Sequence, residues 1–332
     1  MRKVAVVLVA AALLWPISGC FLFDHRREAE QIRRQIRALP GVTDTNLTYA
    51  NNITGEHFAL TVTLDRAITV PQAVDVGRTF TEQRRRQGLG DYNGDLMLYY
   101  PARGTLPRNV NTDDRSVALF DFGPSDGKPD PDADAVADGV AIWLRTAHSP
   151  VAELVGLDQP AERDDAASRD IDVTLTPDAT AATAAALQRS DPALADASWE
   201  IKLVFNEYGD TRNYVSTPTP PSDADRALWS DISGVIGKYY RAKGSTAPPR
   251  PGAQAETQLE IDIGQGRGND VETQRIVPAV AALLPRFGHP AALLVWGYDG
   301  PIEIVVGGCY RHQPDHTRLP LEIELSRQYE TC

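Results

Sequence analysis

The sequence predicts an α+β chain built from two to three tandem β-α-β-β-α-β units, with antiparallel sheets and helices packed on one face. Three observations predict it. Apolar residues alternate with period two at Phe58, Leu60, Val62, Leu64; at Ile201, Leu203, Phe205; at Leu259, Ile261, Ile263; at Ile302, Ile304, Val306; and at Leu321, Ile323, Leu325, as strands with one buried face require. They recur at helical spacing at Ala29, Ile32, Ile36, Leu39; at Val136, Val140, Trp143; at Leu228, Ile232, Val235, Tyr239; and at Ile276, Val280, Leu283, Phe287, the stripe of a helix lying on a sheet. Finally, Leu60 to Thr69 (LTVTLDRAIT) returns 111 residues later as Ile171 to Thr180 (IDVTLTPDAT), sharing Val-Thr-Leu and the closing Thr, an offset of one small domain.

Taken in order, a helix over about 27–39 leads into strands 42–50 and 57–65. Pro71 suits the first turn of a helix over 71–87, and strand 95–100 follows. Strand 116–122, helix 132–147, strands 150–157 and 170–176, helix 178–189 and strand 198–206 make a complete second unit. This order is the split arrangement of ferredoxin-like folds, and the first set is the same unit without its opening strand. A third, partial unit runs from strand 257–263 through helix 270–287, in which Pro278 stands early or marks the start. Strands 291–298 and 302–309 follow, and 320–326 is the last strand. Helix 222–242 belongs to the second unit or the third. The domain division is therefore 25–108, 109–217 and 218–332, after an N-terminal region treated below. Segments 121–134, 217–221 and 244–252, rich in Pro, Gly and Asp, read as exposed linkers, and 158–168 as an extended hairpin loop.

The chain has 332 residues with 45 Asp+Glu against 33 Lys+Arg, a net charge of −12. Such an acidic balance argues against broad nucleic-acid affinity. Only five of the basic residues are Lys. Arg2 and Lys3 precede an almost unbroken apolar run from Val4 to Ile17, and Ile17-Ser18-Gly19-Cys20 closes it. That is the layout of an export signal over 1–19, too short for a transmembrane helix of roughly 20 residues. Its ending resembles the lipobox of bacterial lipoproteins. The resemblance implies that Cys20 becomes a diacylglycerol-modified mature N-terminus, that 20–24 is a lipidated tether, and that the ectodomain stands on the extracytoplasmic face of the cell membrane. The Arg-over-Lys, Ala-rich composition is similar to that of high-GC actinobacteria. Cys309 and Cys332 are then an even pair in an oxidising compartment, most simply a disulfide worth about 3 kcal/mol in the loop-entropy model.

Candidate chemistry is sparse. Asp130, Asp132, Asp134 and Asp138 fall at positions 1, 3, 5 and 9 of a calcium loop, but Ala135 and Ala141 stand where a Gly and a bidentate Glu are needed, so these acids read as helix-start residues. Cys309, His312 and His316 have zinc-like spacing, but the disulfide would consume the thiolate. Gly264-Gln-Gly266-Arg-Gly268 has neither the third glycine nor the lysine of a nucleotide loop and reads as a turn. No G-x-S-x-G is present, and none of the six His pairs locally with Ser or Cys. Trp143, Trp199, Trp229 and Trp296 read as core, and Arg84-Arg85-Arg86 as a solvated helix end. The helix-Leu39-Pro40-Gly41-Val42-strand opening resembles small BON and metal-chaperone domains, without their Cys-x-x-Cys. The expectation is a cofactor-free, non-catalytic envelope lipoprotein that binds or scaffolds an envelope protein, polymer or lipid. A carrier of lipid or another apolar ligand is the alternative, and a secreted hydrolase the third choice.

Overall fold

The computed structural model describes residues 25–52, 55–90, 92–105, 115–123, 131–159, 169–206, 209–249, 254–264, 269–297, 300–311 and 317–332. The segment expected to be an export signal, Cys20, Asp130, Gly266, Gly268, His312, His316 and most of loop 158–168 lie outside them. The chain is α+β: twelve strands follow one another in a mixed sheet in sequence order, with seven α-helices among the described residues. Two compact units divide it, Met1–Tyr100 with Val117–Ala141 and Asp158–Arg169, and Pro101–Ser116 with Ile142–Leu157 and Asp170–Cys332.

In the first unit α1 (Arg26–Arg37) precedes the hairpin β1 (Val42–Asn52) and β2 (Gly55–Leu64), and α2 (Val70–Arg86) carries the chain to β3 (Asn93–Pro101), which pairs in parallel with β2. Thr69 starts α2 in a reciprocal cap with Gln72. Phe58, Phe80 and Phe122 pack as tilted rings with centroid distances of 5.6 and 5.3 Å. Phe122 belongs to β4 (Arg115–Phe122). Arg84 is not solvated as expected. It is 1% exposed, lies 5.0 Å from the Phe122 ring and donates to the carbonyls of Gly90 and Tyr92, while Arg85 and Arg86 stay outside.

After α3 (Ala133–His148) and β5 (Ala152–Gln159), the second unit continues with β6 (Asp170–Leu175), α4 (Ala181–Ser190), β7 (Ser198–Val204), β8 (Thr211–Ser216) and α5 (Asp223–Ile236). It ends with β9 (Arg241–Thr246), β10 (Thr257–Asp262), α6 (Asn269–Ala281), β11 (Ala291–Gly297), β12 (Gly300–Val306) and α7 (Pro320–Tyr329). Thr180 caps α4 as Thr69 caps α2, so the repeated sequence is a repeated strand-to-helix joint.

Five expectations need correction. Helix 222–242 ends at Ile236, because Gly237 turns the chain at φ 78°, and β9 follows. Segment 244–252 is therefore not all linker: Gly244 lies mid-sheet, where a Cβ would come within 2.9 Å of Tyr214 and 3.2 Å of Trp229. Segment 217–221 is no exposed linker either, since Pro220 and Pro221 are buried and the Pro218 carbonyl accepts from Trp199 Nε1 at 3.1 Å and Gln188 Nε2 at 2.7 Å. Pro278 stands near the end of α6, and a 3-10 turn, Leu284–Phe287, replaces the rest of the expected helix. Residues 320–326 form a helix: Leu321 and Leu325 share its buried face with Glu322 and Ser326, and Pro320 occupies its first turn.

The β-α-β-β-α-β order is present twice, as β4-α3-β5-β6-α4-β7 and β8-α5-β9-β10-α6-β11. Separate split units are not. A split unit has another strand between its parallel pair, whereas β6 and β7, β8 and β9, and β10 and β11 are direct parallel neighbours. Because β9 and β10 are antiparallel, the β8-β9 and β10-β11 crossovers run in opposite directions while stepping the same way across the sheet. Their helices nevertheless share a face, as α5 packs on α6 and Arg286 bonds Asp231 at 2.6 Å. The two crossovers therefore have opposite hands, although right-handed crossovers are the rule. Two right-handed crossovers would place α5 and α6 on opposite faces. Here the helix-bearing face is filled by Ile201, Tyr214, Leu259, Leu293 and Ile304, and the other face of β7 to β11 stays open.

Candidate functional site

Strand periodicity sends every second residue of β7 to β11 to the open face. One row across it reads Glu200, Val215, Ser245, Gln258, Ala292, and the next Lys202, Asn213, Lys243, Glu260, Leu294. The two rows, Lys202 excepted, line a trough of about 350 Å³. Its size falls at the lower end of ligand sites. Two of the exposed large apolar residues stand in the next row of the same face, Val204 at the end of β7 (38%) and Trp296 on β11 (45%), with Arg241 and Asp262 between them. Trp296 is two residues beyond Leu294 and on the same face.

The charges of the trough are paired within it. Glu200 meets Lys202 at 3.2 Å and accepts from Thr174 Oγ1 at 2.7 Å. Lys243 meets Glu260 at 2.8 Å, and the other oxygen of Glu260 accepts from Trp296 Nε1 at 3.0 Å. The hydrogen bond from Lys243, helped by that from the indole, holds Glu260 below the usual carboxylate range. The bond to Glu260, itself held by Lys243, thus orients the indole before any ligand arrives. Asn213 Oδ1, on the floor, has no hydrogen-bond partner. The described lining residues include neither His nor Cys, and amides, a hydroxyl, paired charges and an aromatic edge equip the surface for recognition.

A buried polar group supports the trough from behind. Arg212 on β8 is 1% exposed and faces the helices. Its guanidinium donates to the Ser233 carbonyl and hydroxyl, each at 2.7 Å, to the Tyr240 carbonyl at 2.6 Å from Nη2 and 3.1 Å from Nε, and to the Gly237 carbonyl. Those carbonyls close the end of α5 and the turn into β9, where a helix leaves acceptors unfilled. The Phe205 ring lies 4.1 Å from the guanidinium carbon. Beside it Tyr214 bonds Thr246 Oγ1 at 2.7 Å, and burial pushes its phenol up to about 12.

The residues singled out from sequence are dispersed. Cys309 and Cys332 stand in disulfide geometry with Cα atoms 4.9 Å apart. Asp132 caps α3 through the Ala135 N–H at 2.7 Å, Asp134 bonds Arg78 at 3.1 Å, and Asp138 bonds Arg169 at 2.9 Å. No group of three or more metal-ligating side chains gathers among the described residues. Trp143, Trp199 and Trp229 are core, but Trp296 is not, which corrects the expectation. No sequence signal separated them, because Ala291–Gly297 is apolar throughout and only the structure buries 291, 293 and 295 while leaving 292, 294 and 296 on the other face. Arg212 carried no signal either, since an arginine reads as exposed. No described helix is long and apolar enough to cross a membrane. Comparison of the chain with family models, with curated proteins and with solved structures gave no match.

Proposed function

We propose that this protein is a lipid-anchored binding protein of the bacterial cell envelope, held at the extracytoplasmic face through Cys20, whose ligand surface is the open face of β7 to β11. The observation that carries the reading is the trough, a face left bare by the helices, with its charges already paired and an oriented Trp296 at one end. The export signal and lipobox-like ending support the anchor, and two acyl chains suffice for stable attachment. The proposed role is non-catalytic, with binding or scaffolding as the output.

Oxidative footprinting of the full-length protein, alone and with cell-envelope material, tests the surface. Protection of Trp296 by the envelope is expected, and equal labelling of it in the two samples overturns the assignment. For the anchor, Cys20→Ala is expected to abolish retention in a detergent-partition assay, and retention equal to that of the unaltered protein overturns it.

A further inference from the structure

Resting on the reading of the open face as the ligand surface, we infer that the trough binds an uncharged, hydroxyl-rich chain, a neutral saccharide. Charge decides the class first. The acids of the trough, Glu200 and Glu260, are each engaged by a lysine at 3.2 and 2.8 Å, and in the next row Arg241 stands opposite Asp262. A strongly charged ligand finds the lysines and acids of the trough already neutralised by one another, and a neutral ligand needs none of them. The remaining groups are those that hydroxyls need. Ser245 and Gln258 put a hydroxyl and an amide in one row, and the Asn213 side chain lines the adjoining one.

Shape and apolar character point the same way. Val215, Ala292 and Leu294 lie among the polar residues, so the surface is amphipathic at the scale of one ring. A pyranose has the same character, with apolar C–H faces and a polar rim. Trp296, its indole N–H tied to Glu260, presents an aromatic face that stacks on such C–H groups. An apolar lipid chain would leave Asn213, Ser245 and Gln258 unpaired, and an extended peptide would seek a strand edge instead.

The test is intrinsic fluorescence and calorimetric titration of the full-length protein in detergent. The probes are hexasaccharides of neutral glucan, galactan and arabinan, with a sulfated polysaccharide and anionic phosphatidylglycerol vesicles as charged comparisons. Saccharide binding is expected to perturb indole emission, to change less than twofold between 50 and 500 mM salt as an uncharged ligand requires, to fall at least tenfold in Trp296→Ala and to weaken in Asn213→Ala. Circular dichroism of each variant establishes that it is folded. If none of the neutral probes binds, or if binding survives Trp296→Ala, the saccharide assignment is overturned. It is equally overturned if only a charged probe binds in a Trp296-dependent way. Envelope protection of Trp296 in the footprinting experiment, together with failure of every neutral probe, rejects the saccharide alone. Loss of both rejects the ligand surface as well.

Discussion

Replacing Arg212 by Met removes a buried cation while keeping much of its volume, so the result measures what the guanidinium does for β8, α5 and β9. Three carbonyls, those of Ser233, Gly237 and Tyr240, lose their charged donor. Ser233 keeps the Gly237 N–H at 3.2 Å, so two acceptors are left without a partner at about 1–3 kcal/mol each, about 2–6 together. Against this stands relief from burying a charge. Burial pulls the Arg212 guanidinium well below its ordinary value, to about 10, a change that corresponds to about 3 kcal/mol. The central values leave a loss of about 1 kcal/mol, which urea unfolding followed by far-UV circular dichroism resolves. Trp229 provides a local probe, because its Nε1 donates to the Arg212 carbonyl at 3.5 Å. Arg212→Lys keeps the charge but replaces a planar fork with a point donor, and should recover less than half of the loss. An unchanged or raised stability in Arg212→Met would refute the idea that this side chain ties the helix end to the sheet.

Tyr214 has its folded-state value raised from 10.0 to about 12, chiefly by burial, so its stabilising contribution is whole below pH 10 and is lost as pH climbs to about 12. Tyr214→Phe should flatten the fall in stability over that window by about 2–3 kcal/mol, measured as urea midpoints at successive pH values. Gly244→Ala forces a methyl to within 2.9 Å of the Tyr214 ring. Overpacking of about 1–3 kcal/mol is expected, and an unchanged thermal midpoint would count against the close approach. Thr69→Ala and Thr180→Ala each remove a reciprocal cap and should cost about 1 kcal/mol apiece in denaturant titrations, additively because the sites share no partner. Reduction, or Cys309→Ser, should lower stability by about 3 kcal/mol, and two thiols titrating in the non-reduced protein would rule out the bridge.

Much of the element order was legible because it is local. The Val-Thr-Leu strands and the Thr69 and Thr180 joints repeat in sequence and in structure, since both a two-residue alternation and a helix cap are completed within a few residues. The strands β8 and β9 were not legible. Their buried positions hold Arg212 and Gly244, one a charge and the other lacking a side chain, so the alternation never registers as apolar. The helix at 320–329 was misread because Leu321 and Leu325 satisfy both periods, and only the burial of Glu322 and Ser326 separates them.

By itself the sequence determined the strand and helix periodicities, the caps, the cysteine pair and a charge balance that disfavours nucleic acid. It placed Trp296 on a strand, yet the alternation that splits residues 291 to 297 into two sets is the same whichever set meets the helices. Only the tertiary structure decided that. With parallel neighbours inside each crossover and antiparallel neighbours between them, the direction of the chain reverses at every step, and α5 and α6 can share a face only if their crossovers differ in hand. That long-range choice covers one face of β7 to β11 and leaves Asn213, Glu260 and Trp296 on the other.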